Sequence, residues 1–239
     1  MTKRERPSST TPARPEMEKH EVTADRGASP GTAGDLAVFS LTEELAPAVA
    51  ALHLAAYAGY LNVRLGERYA TAFLDWFRCE ERAIALVALD GAKVAGYVVG
   101  APGDLKRARN RALLPVVARE VARRPWLVLD GRFRRAVLAR LRLLFARSRR
   151  EFADTHLPLP RVDLVSIAVN PAMQGRGCGL LLMQEFEALA RARAMRSMRL
   201  YVKPDNTAAH QLYRRSGWSP LGASAGRERL IQYAKVLLS

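Results

Sequence analysis

A glycine-rich turn joins a strongly apolar strand to a long helix in the last third of the chain. The strand is predicted over 162–169, the turn is Gln174-Gly175-Arg176-Gly177-Cys178-Gly179, and the helix is predicted over 177–195. Closely spaced glycines let the backbone turn tightly, so that successive N–H groups can point at one spot. The start of the helix adds partial positive charge. The unit predicts an anion cradle suited to a pyrophosphate, with a plain left-handed turn as the alternative.

Strands and helices are mixed along the rest of the chain. Asp90-Gly91 separates two β-like runs and predicts a hairpin. Thr42 is expected to cap the first helix, and the Arg-rich helical region is expected to break near Pro115 and at Pro125. The predicted strands are 36–40, 83–89, 93–100, 162–169, 199–202, 218–221 and 230–237, and helices are predicted from about 42, 65, 105, 177 and 207. This order predicts an α/β (α+β) fold.

The composition is that of a globular protein and excludes several other classes. Apolar residues make up 49% of the 239 residues, enough for one generous domain or two small ones. No apolar stretch approaches the roughly 20 residues that span a bilayer, and no apolar segment follows the basic start as in a secretory signal. Cys79 and Cys178 are too far apart for metal-ligand spacing, so no metal site is expected. A reducing cytoplasm is therefore expected.

The first 35 residues differ in composition from the rest. They contain one large aliphatic residue, Val22, and nineteen Ser, Thr, Pro, Gly or Ala residues. Such a segment cannot bury enough apolar surface to offset its ordering entropy. A disordered tail is expected over 1–35 and a folded domain over 36–239, with an arm docked on the domain as the alternative for the tail.

A second motif follows the glycine turn, Asn206-Thr207-Ala208-Ala209-His210-Gln211-Leu212-Tyr213-Arg214-Arg215-Ser216-Gly217-Trp218. The turn resembles motif A of the GNAT N-acetyltransferase superfamily, Gln/Arg-x-x-Gly-x-Gly/Ala, with Gln174, Gly177 and Gly179 at its fixed positions. The second motif resembles the family's Asn-x-x-Ala-x-x-x-Tyr-x-x-x-Gly-Phe, with Trp218 in place of the usual Phe. The chain is thus identified as a member of this superfamily on residues 162–218.

This resemblance implies a fold, a donor and a binding site. The GNAT fold has a mixed sheet that splays between its fourth and fifth strands, and acetyl-CoA lies in the opening. Main-chain groups of Ile167, Ala168 and Val169 would contact the pantetheine amides and the thioester. Asn206 would contact the pantetheine arm. The residues expected to hold the pyrophosphate are Gln174, Gly175, Arg176, Gly177, Cys178 and Gly179.

The resemblance also implies catalytic residues. Tyr213 would donate a proton to the departing thiolate, or else it packs under the cofactor as a core residue. Asp163 would be the general base, because alternation along the strand gives it the apolar face of Val165, Ile167 and Val169, where desolvation strengthens a base. The alternative is a strand-end carboxylate paired with an arginine. His53 and His210, on helices, are expected at the surface, with a role as general base as the alternative.

The expected activity is direct acetyl transfer to a primary amine in a ternary complex. The region 56–66, with Tyr57, Gly59, Tyr60 and Asn62, matches the part of the family that builds the acceptor site. A loose resemblance to GNAT proteins of polysaccharide and amino-sugar modification favours an amino sugar or a nucleotide-linked sugar as acceptor. A protein or peptide amine is an alternative.

Most of the net charge lies in one segment. Residues 104–150 hold fifteen basic and three acidic residues, a difference of +12 out of +15 for the whole chain. This Arg-rich helical insert is expected between strands 3 and 4. It is interpreted as a solvated surface, as a wall that attracts an anionic acceptor, or as a docking surface for nucleic acid or membrane. Because few aromatic residues are interleaved, the docking role is less favoured. A non-catalytic module that binds polyanions through this insert is the alternative function.

Overall fold

The computed structural model describes residues 36–58, 60, 63–131, 134, 135, 138, 157–223 and 230–237. Its strands are β1 (Leu36–Ser40), β2 (Ile84–Asp90), β3 (Lys93–Pro102), β4 (Arg161–Val169), β5 (Ser197–Val202), β6 (Ser219–Ala223) and β7 (Ile231–Val236). Its helices are α1 (Ala46–Ala56), α2 (Glu67–Cys79), α3 (Lys106–Arg123), α4 (Trp126–Leu129), α5 (Cys178–Ala192) and α6 (Thr207–Arg215). The expected tail over 1–35 lies outside the described residues.

Seven described strands form one mixed sheet in the order β1-β2-β3-β4-β5-β7-β6. The β4–β5 pair is parallel and its neighbours are antiparallel. Helices α1, α2 and α3 pack on one face of the sheet, and α5 and α6 pack on the other. Along β3, Tyr97 and Val99 face the first group of helices and Val98 faces the second, as the two-residue period of a strand requires. The predicted α/β class is confirmed.

Two predicted helix boundaries differ from the structure. The first helix begins at Ala46 rather than near Thr42, because Pro47 occupies its first turn, where a missing N–H costs nothing. The predicted break near Pro115 is wrong, since α3 runs through this residue. Leu113 is buried and Val117 packs against the same core, so tertiary packing holds the helix across the proline. The predicted break at Pro125 is confirmed, because α3 ends at Arg123.

A β-bulge interrupts β4. Val99 of β3 pairs with Ser166, but the next residue, Gly100, pairs with Leu164, so Val165 is an extra residue in β4. An extra residue reverses which face later side chains occupy. Leu164 before the bulge and Ile167 after it both pack in the core beneath α5. The expectation that Asp163 shares a face with Ile167 is therefore wrong.

The parallel strands β4 and β5 separate soon after they begin. Within the described residues, their ladder pairs Arg161–Asp163 with Ser197–Arg199, and it does not extend to Leu164–Val169. Throughout its length β5 pairs with β7 on its other side. The sheet is therefore splayed between its fourth and fifth strands, as predicted, and one edge of β4 faces an opening.

The chain between β3 and β4 begins with α3 and α4 and continues into residues that are mostly outside the described part. No described helix is long and apolar enough to cross a membrane. The helical spacing of several apolar residues in this segment predicts an apolar stripe, whose members lie outside the described residues: Phe133, Val137, Leu141, Leu144 and Phe145.

Candidate active site

The open edge of β4 presents the main-chain groups of alternate residues. The Asn170 N–H donates to the Ala95 carbonyl of β3 over 2.8 Å, so the hydrogen-bonding groups of Ala168 also point at β3. By the same alternation, the N–H and C=O groups of Ile167 and Val169 point into the opening beside β5. Of the three residues predicted to offer main-chain groups there, the strand register directs two toward the opening.

A tyrosine hydroxyl, rather than a group of β5, is the hydrogen-bond partner of one of these main-chain groups. The Tyr57 hydroxyl, just beyond α1, donates to the Ile167 carbonyl over 2.8 Å. In a continuous sheet this carbonyl would be paired with β5, and a buried unpaired carbonyl is costly. The contact satisfies the carbonyl at a position where β4 has no pairing with β5.

Tyr57 belongs to a chain of buried polar groups on the α1 side of the sheet. Ser166 Oγ donates to the Tyr57 hydroxyl over 3.1 Å and lies 2.7 Å from the Tyr97 hydroxyl. That hydroxyl lies 2.5 Å from Nδ1 of His53 on α1. The prediction of a surface position for His53 is wrong, since its side chain is buried. Its burial lowers its pKa to about 4, so the imidazole is neutral near pH 7.

The buried His53 should make the protein less stable in acid. The pKa falls from the ordinary 6.5 to about 4 on folding, so between these values the unfolded chain binds a proton that the folded chain does not. The unfolding free energy should be highest above about pH 6.5 and should fall toward pH 4 by about 3 kcal/mol through this residue. Urea unfolding from pH 4 to 7 should show a shallower pH dependence for His53→Gln than for the wild type. Equal slopes would contradict this expectation.

The glycine turn has the backbone that its sequence predicts. Gly175 and Gly177 have φ of +79° and +81°, and Gly177 is the N-terminal cap of α5. The first hydrogen bond of this helix runs from the Leu181 N–H to the Gly177 carbonyl over 3.0 Å, so earlier N–H groups of the turn have no helical partner. A Cβ atom at either glycine would have no other atom within 4 Å. The space beside both glycines is therefore open, as an anion cradle requires.

The neighbouring residues of the turn have different surroundings. Gly179 faces α6, where an added Cβ would lie 3.4 Å from Leu212. The Arg176 guanidinium donates to Asp90, in the β2–β3 hairpin, over 3.1 Å, and Gln174 is exposed. Burial raises the pKa of the Cys178 thiol to about 11, which keeps it protonated and unreactive as a nucleophile.

The second motif forms the cap and the buried face of α6. Asn206 Oδ1 accepts from the Ala209 N–H over 3.1 Å and so caps the helix. His210 is buried rather than at the surface, since its Nε2 donates to the Lys203 carbonyl over 3.1 Å. Tyr213 is buried near Trp218, with 6.2 Å between the ring centres. Burial, helped by the nearby Tyr57 and Tyr60 hydroxyls, raises the pKa of Tyr213, which therefore stays a proton donor.

Trp218, the departure from the family motif, has a polar partner. Its indole N–H donates to buried Glu187 of α5 over 2.9 Å, and Lys235 of β7 donates to the same carboxylate over 2.7 Å. A phenylalanine could not make the first bond. The tryptophan therefore ties the end of α6 to α5.

Asp163 lies at the closed end of the opening. Its carboxylate accepts two hydrogen bonds from Arg199 of β5, over 3.0 and 2.7 Å, and Arg161 Nε is 3.7 Å away. This is the arginine pairing that the sequence left open as the alternative. Since the bulge turns Asp163 to the face opposite Ile167, the structure does not bring its side chain onto the face of β4 that was expected.

Two tyrosines and a lysine lie between the end of α1 and the end of β5. The Tyr57 and Tyr60 rings meet edge to face at 5.2 Å, and the Lys203 ammonium lies 3.8 Å from the centre of the Tyr60 ring. Lys203 directly follows β5, so this contact joins the end of β5 to the α1–α2 connection. Gly59 and Asn62 lie outside the described residues.

The Arg-rich helix α3 is anchored beside this region. Arg124 donates to the Leu65 carbonyl, next to the start of α2, over 2.7 Å and to Glu120 over 2.8 Å. Glu120 is buried and also accepts from Arg123 over 2.7 Å. The insert therefore borders the connection that carries the two tyrosines. Among the described residues, no group of three His, Cys, Asp or Glu side chains is placed to hold a metal ion.

Part of the sequence matches a known protein family, and the fold matches solved structures. Residues 137–218 match the family model described as "Acetyltransferase (GNAT) family". A mycothiol acetyltransferase from Beutenbergia cavernae is 35% identical over 63 residues, which are 26% of this chain and 21% of that protein. The alignment thus spans about a fifth of the length of this relative.

Solved structures resemble most of the chain. The ribosomal-protein-S18-alanine N-acetyltransferase from Escherichia coli has a TM-score of 0.51 at 16% identity and covers 85% of this chain and 95% of its own. An acetyltransferase of the GNAT family from Streptococcus pneumoniae has a TM-score of 0.51 at 17% identity, with 85% and 100% covered. An N-acetyltransferase from Staphylococcus aureus Mu50 has a TM-score of 0.54 at 13% identity, with 85% and 99% covered. These similarities establish the fold.

Proposed function

We propose that the chain is a member of the GNAT acetyltransferase family and that it transfers the acetyl group of acetyl-CoA directly to a primary amine in a ternary complex. The observation that carries this proposal is the meeting of two features at the end of β4. These are the open strand edge at Ile167 and Val169 and the glycine turn that caps α5. In this proposal residues 36–239 are one domain, 104–150 are its insert and 1–35 are a tail.

The donor site follows from these two features. The N–H groups at the start of α5 fit a pyrophosphate, since the space beside Gly175 and Gly177 is open and the helix adds positive charge. The edge of β4 offers alternating donors and acceptors that match the amides of a pantetheine arm. The Ala168 backbone bonds to β3, so we assign to this residue a supporting role beside Ile167 and Val169. Asn206 would contact the arm through its side-chain amide. Bound acetyl-CoA supplies an activated acyl group as a thioester.

Tyr213 fits the role of general acid. Its raised pKa keeps the proton on the phenol at neutral pH, so the hydroxyl can donate a hydrogen bond and a proton to the sulfur as the C–S bond breaks. A covalent route through Cys178 is disfavoured because the thiol is buried and protonated. These two properties support direct transfer.

The base role of Asp163 can be separated from its structural role. Asp163→Asn removes the charge that holds Arg199, whose side chain is mostly buried, so we expect the unfolding free energy to fall by about 1–3 kcal/mol. If Asp163 is also the base, the rate should fall by roughly 10²–10⁴ at a temperature where the variant is folded. Urea unfolding and steady-state kinetics on one preparation separate the two. Loss of stability with a wild-type rate would leave only the ion pair.

The acceptor proposed here carries a negative group beside its amine, as in a nucleotide-linked amino sugar. Lys203 lies at the opening, and α3, whose C-terminal end borders the α1–α2 connection, exposes Arg111 and Arg119. Cations at the entrance raise the local concentration of an anionic substrate and speed its association. An uncharged amino sugar or a peptide amine would use the same amine position without this attraction.

The exposed arginines of α3 also support a second function, in which the chain binds polyanions without catalysis. One experiment separates the two. Calorimetry measures acetyl-CoA binding, and thiol release is followed with amino sugars, polyamines, peptides and aminoglycosides. Amine-dependent thiol release supports the enzyme. Absence of thiol release with every amine, together with salt-sensitive binding of RNA or DNA, supports the polyanion-binding module.

A further inference from the structure

We propose that the Tyr57 hydroxyl oxygen and the Ile167 carbonyl oxygen form a binding site for the ammonium group of the acceptor, with both oxygens accepting hydrogen bonds from that ammonium. This inference rests on the proposed function and names the part of the molecule that receives the amine. It comes from the direction of the hydrogen bonds in the buried chain of His53, Tyr97, Ser166 and Tyr57.

Only one direction of donation along this chain of hydrogen bonds allows all four bonds to form. The Ile167 carbonyl can only accept, so Tyr57 must donate to it. Tyr57 has then used its proton, so the bond to Ser166 needs the serine proton. Ser166 in turn must accept from Tyr97.

The same counting determines the histidine tautomer. Because Tyr97 spends its proton on Ser166, the bond between Tyr97 and His53 needs a proton on Nδ1. Three hydroxyl protons and one imidazole proton then serve four hydrogen bonds. An imidazole with Nδ1 bare would leave one of the four bonds without a proton, inside a buried region where an unmade bond is costly.

This direction sets what Tyr57 can bind. Its proton points at Ile167 and one lone pair receives the Ser166 proton, so a second lone pair remains for a ligand. The Ile167 carbonyl also keeps a second lone pair. Two acceptors whose oxygens lie 2.8 Å apart fit a group with several N–H donors, and they disfavour a carboxylate or a phosphate.

The surrounding rings favour the same charge. The Tyr60 ring, edge to face with Tyr57, already has the Lys203 ammonium 3.8 Å from its centre. The face of an aromatic ring attracts cations, and the Tyr60 ring already binds one primary ammonium, that of Lys203. Tyr57 and Tyr213 then have different roles, since Tyr57 accepts a hydrogen bond from the amine and Tyr213 donates a proton to the thiolate. Tyr57 does not take the proton that the ammonium loses before it attacks.

The first test reads the tautomers without any substrate. In the full-length protein labelled with ¹⁵N-histidine, His53 should carry its proton on Nδ1 at pH 7. His210 should carry its proton on Nε2, because Nε2 donates to the Lys203 carbonyl, and it serves as the internal contrast. The variants His53→Gln and His210→Gln assign the signals. An Nε2-protonated His53 would overturn the proposal.

The second test uses ethylammonium chloride as the probe. With ¹³C-labelled tyrosine and constant ionic strength, its titration should shift the Tyr57 ring signals saturably, and sodium acetate should not. Tyr60→Phe keeps the ring and should keep this shift. The same titration should shift the Ile167 amide signal of the wild type, and this second shift should disappear in Tyr57→Phe. No shift, or an equal shift with acetate, would overturn the site. Neither titration requires turnover, so a failure of the proposed acetyl transfer would be seen separately in the thiol-release assay.

The third test applies to an amine that is turned over. Tyr57→Phe should raise its KM roughly tenfold, the cost of one hydrogen bond to a charged group, with a smaller change in kcat. Ser166→Ala should act in the same direction more weakly, because it removes a bond to Tyr57 and not the acceptor itself. An unchanged KM in Tyr57→Phe, at an unchanged unfolding midpoint, would contradict the proposal.

Discussion

Tyr213→Phe is expected to lower turnover roughly 10²–10⁴-fold, the usual contribution of one general acid, with acetyl-CoA affinity unchanged. The ring stays in the core between Trp218 and Tyr233, so packing is kept and only the hydroxyl is lost. Without that proton the thiolate must leave as a free anion in a buried place. The loss should therefore be seen in kcat and in kcat/KM alike.

Single-turnover thiol release with a slow amine, where chemistry limits the rate, measures this effect. Tyr69→Phe is the control, since it also removes the hydroxyl of a buried tyrosine, but on the α2 side of the sheet. A Tyr213→Phe protein that turns over at the wild-type rate would show that this residue only packs.

Gly177→Val is expected to weaken acetyl-CoA binding at least about 100-fold, which corresponds to about 3 kcal/mol. At φ of +81° a residue with a side chain is strained by roughly 1–2 kcal/mol, and relief of that strain would turn the N–H groups away. If the backbone holds, the new side chain fills the open space in front of α5. Both outcomes remove the anion cradle.

Calorimetry with acetyl-CoA measures this loss, and Gly222→Val is the matched control. Gly222, in β6 at the far edge of the sheet, also has positive φ, +119°, and open space around its Cβ position. It should lose stability without losing affinity. Equal acetyl-CoA affinity in the wild type and in Gly177→Val would refute the assignment of the turn.

The parts of the fold predicted from sequence are those with a local cause. Asp90-Gly91 marked the β2–β3 hairpin because few other dipeptides suit such a turn. The glycines of 174–179 marked the turn before α5, and positive φ at Gly175 and Gly177 explains why glycine stands there. The splay between β4 and β5 came from the family resemblance, and no residue pattern in either strand indicates it.

The buried chain of His53, Tyr97, Ser166 and Tyr57 could not be predicted from any local sequence pattern. Its members come from α1, the residue after α1, β3 and β4, and Ser166 lies 109 residues from Tyr57. From sequence His53 was a histidine on a mixed helical face, and nothing near it indicated a buried partner. The side of Asp163 was also mispredicted, because a strand of alternating pattern gives no sign of an extra residue.

The presence of the extra residue, Val165, should matter more for the site than the identity of its side chain. Its side chain is partly exposed, so many residues that suit a strand should replace it with little effect. Its deletion would change the parity of the strand, exchanging odd and even positions from Ser166 onward relative to Asp163. The serine would then leave Tyr57, and the edge facing the opening would offer the backbone of a different residue. In a library of variants at position 165, most substitutions should therefore give a folded, active protein, and the deletion should not. The position then acts as a spacer, whose length matters and whose side chain does not.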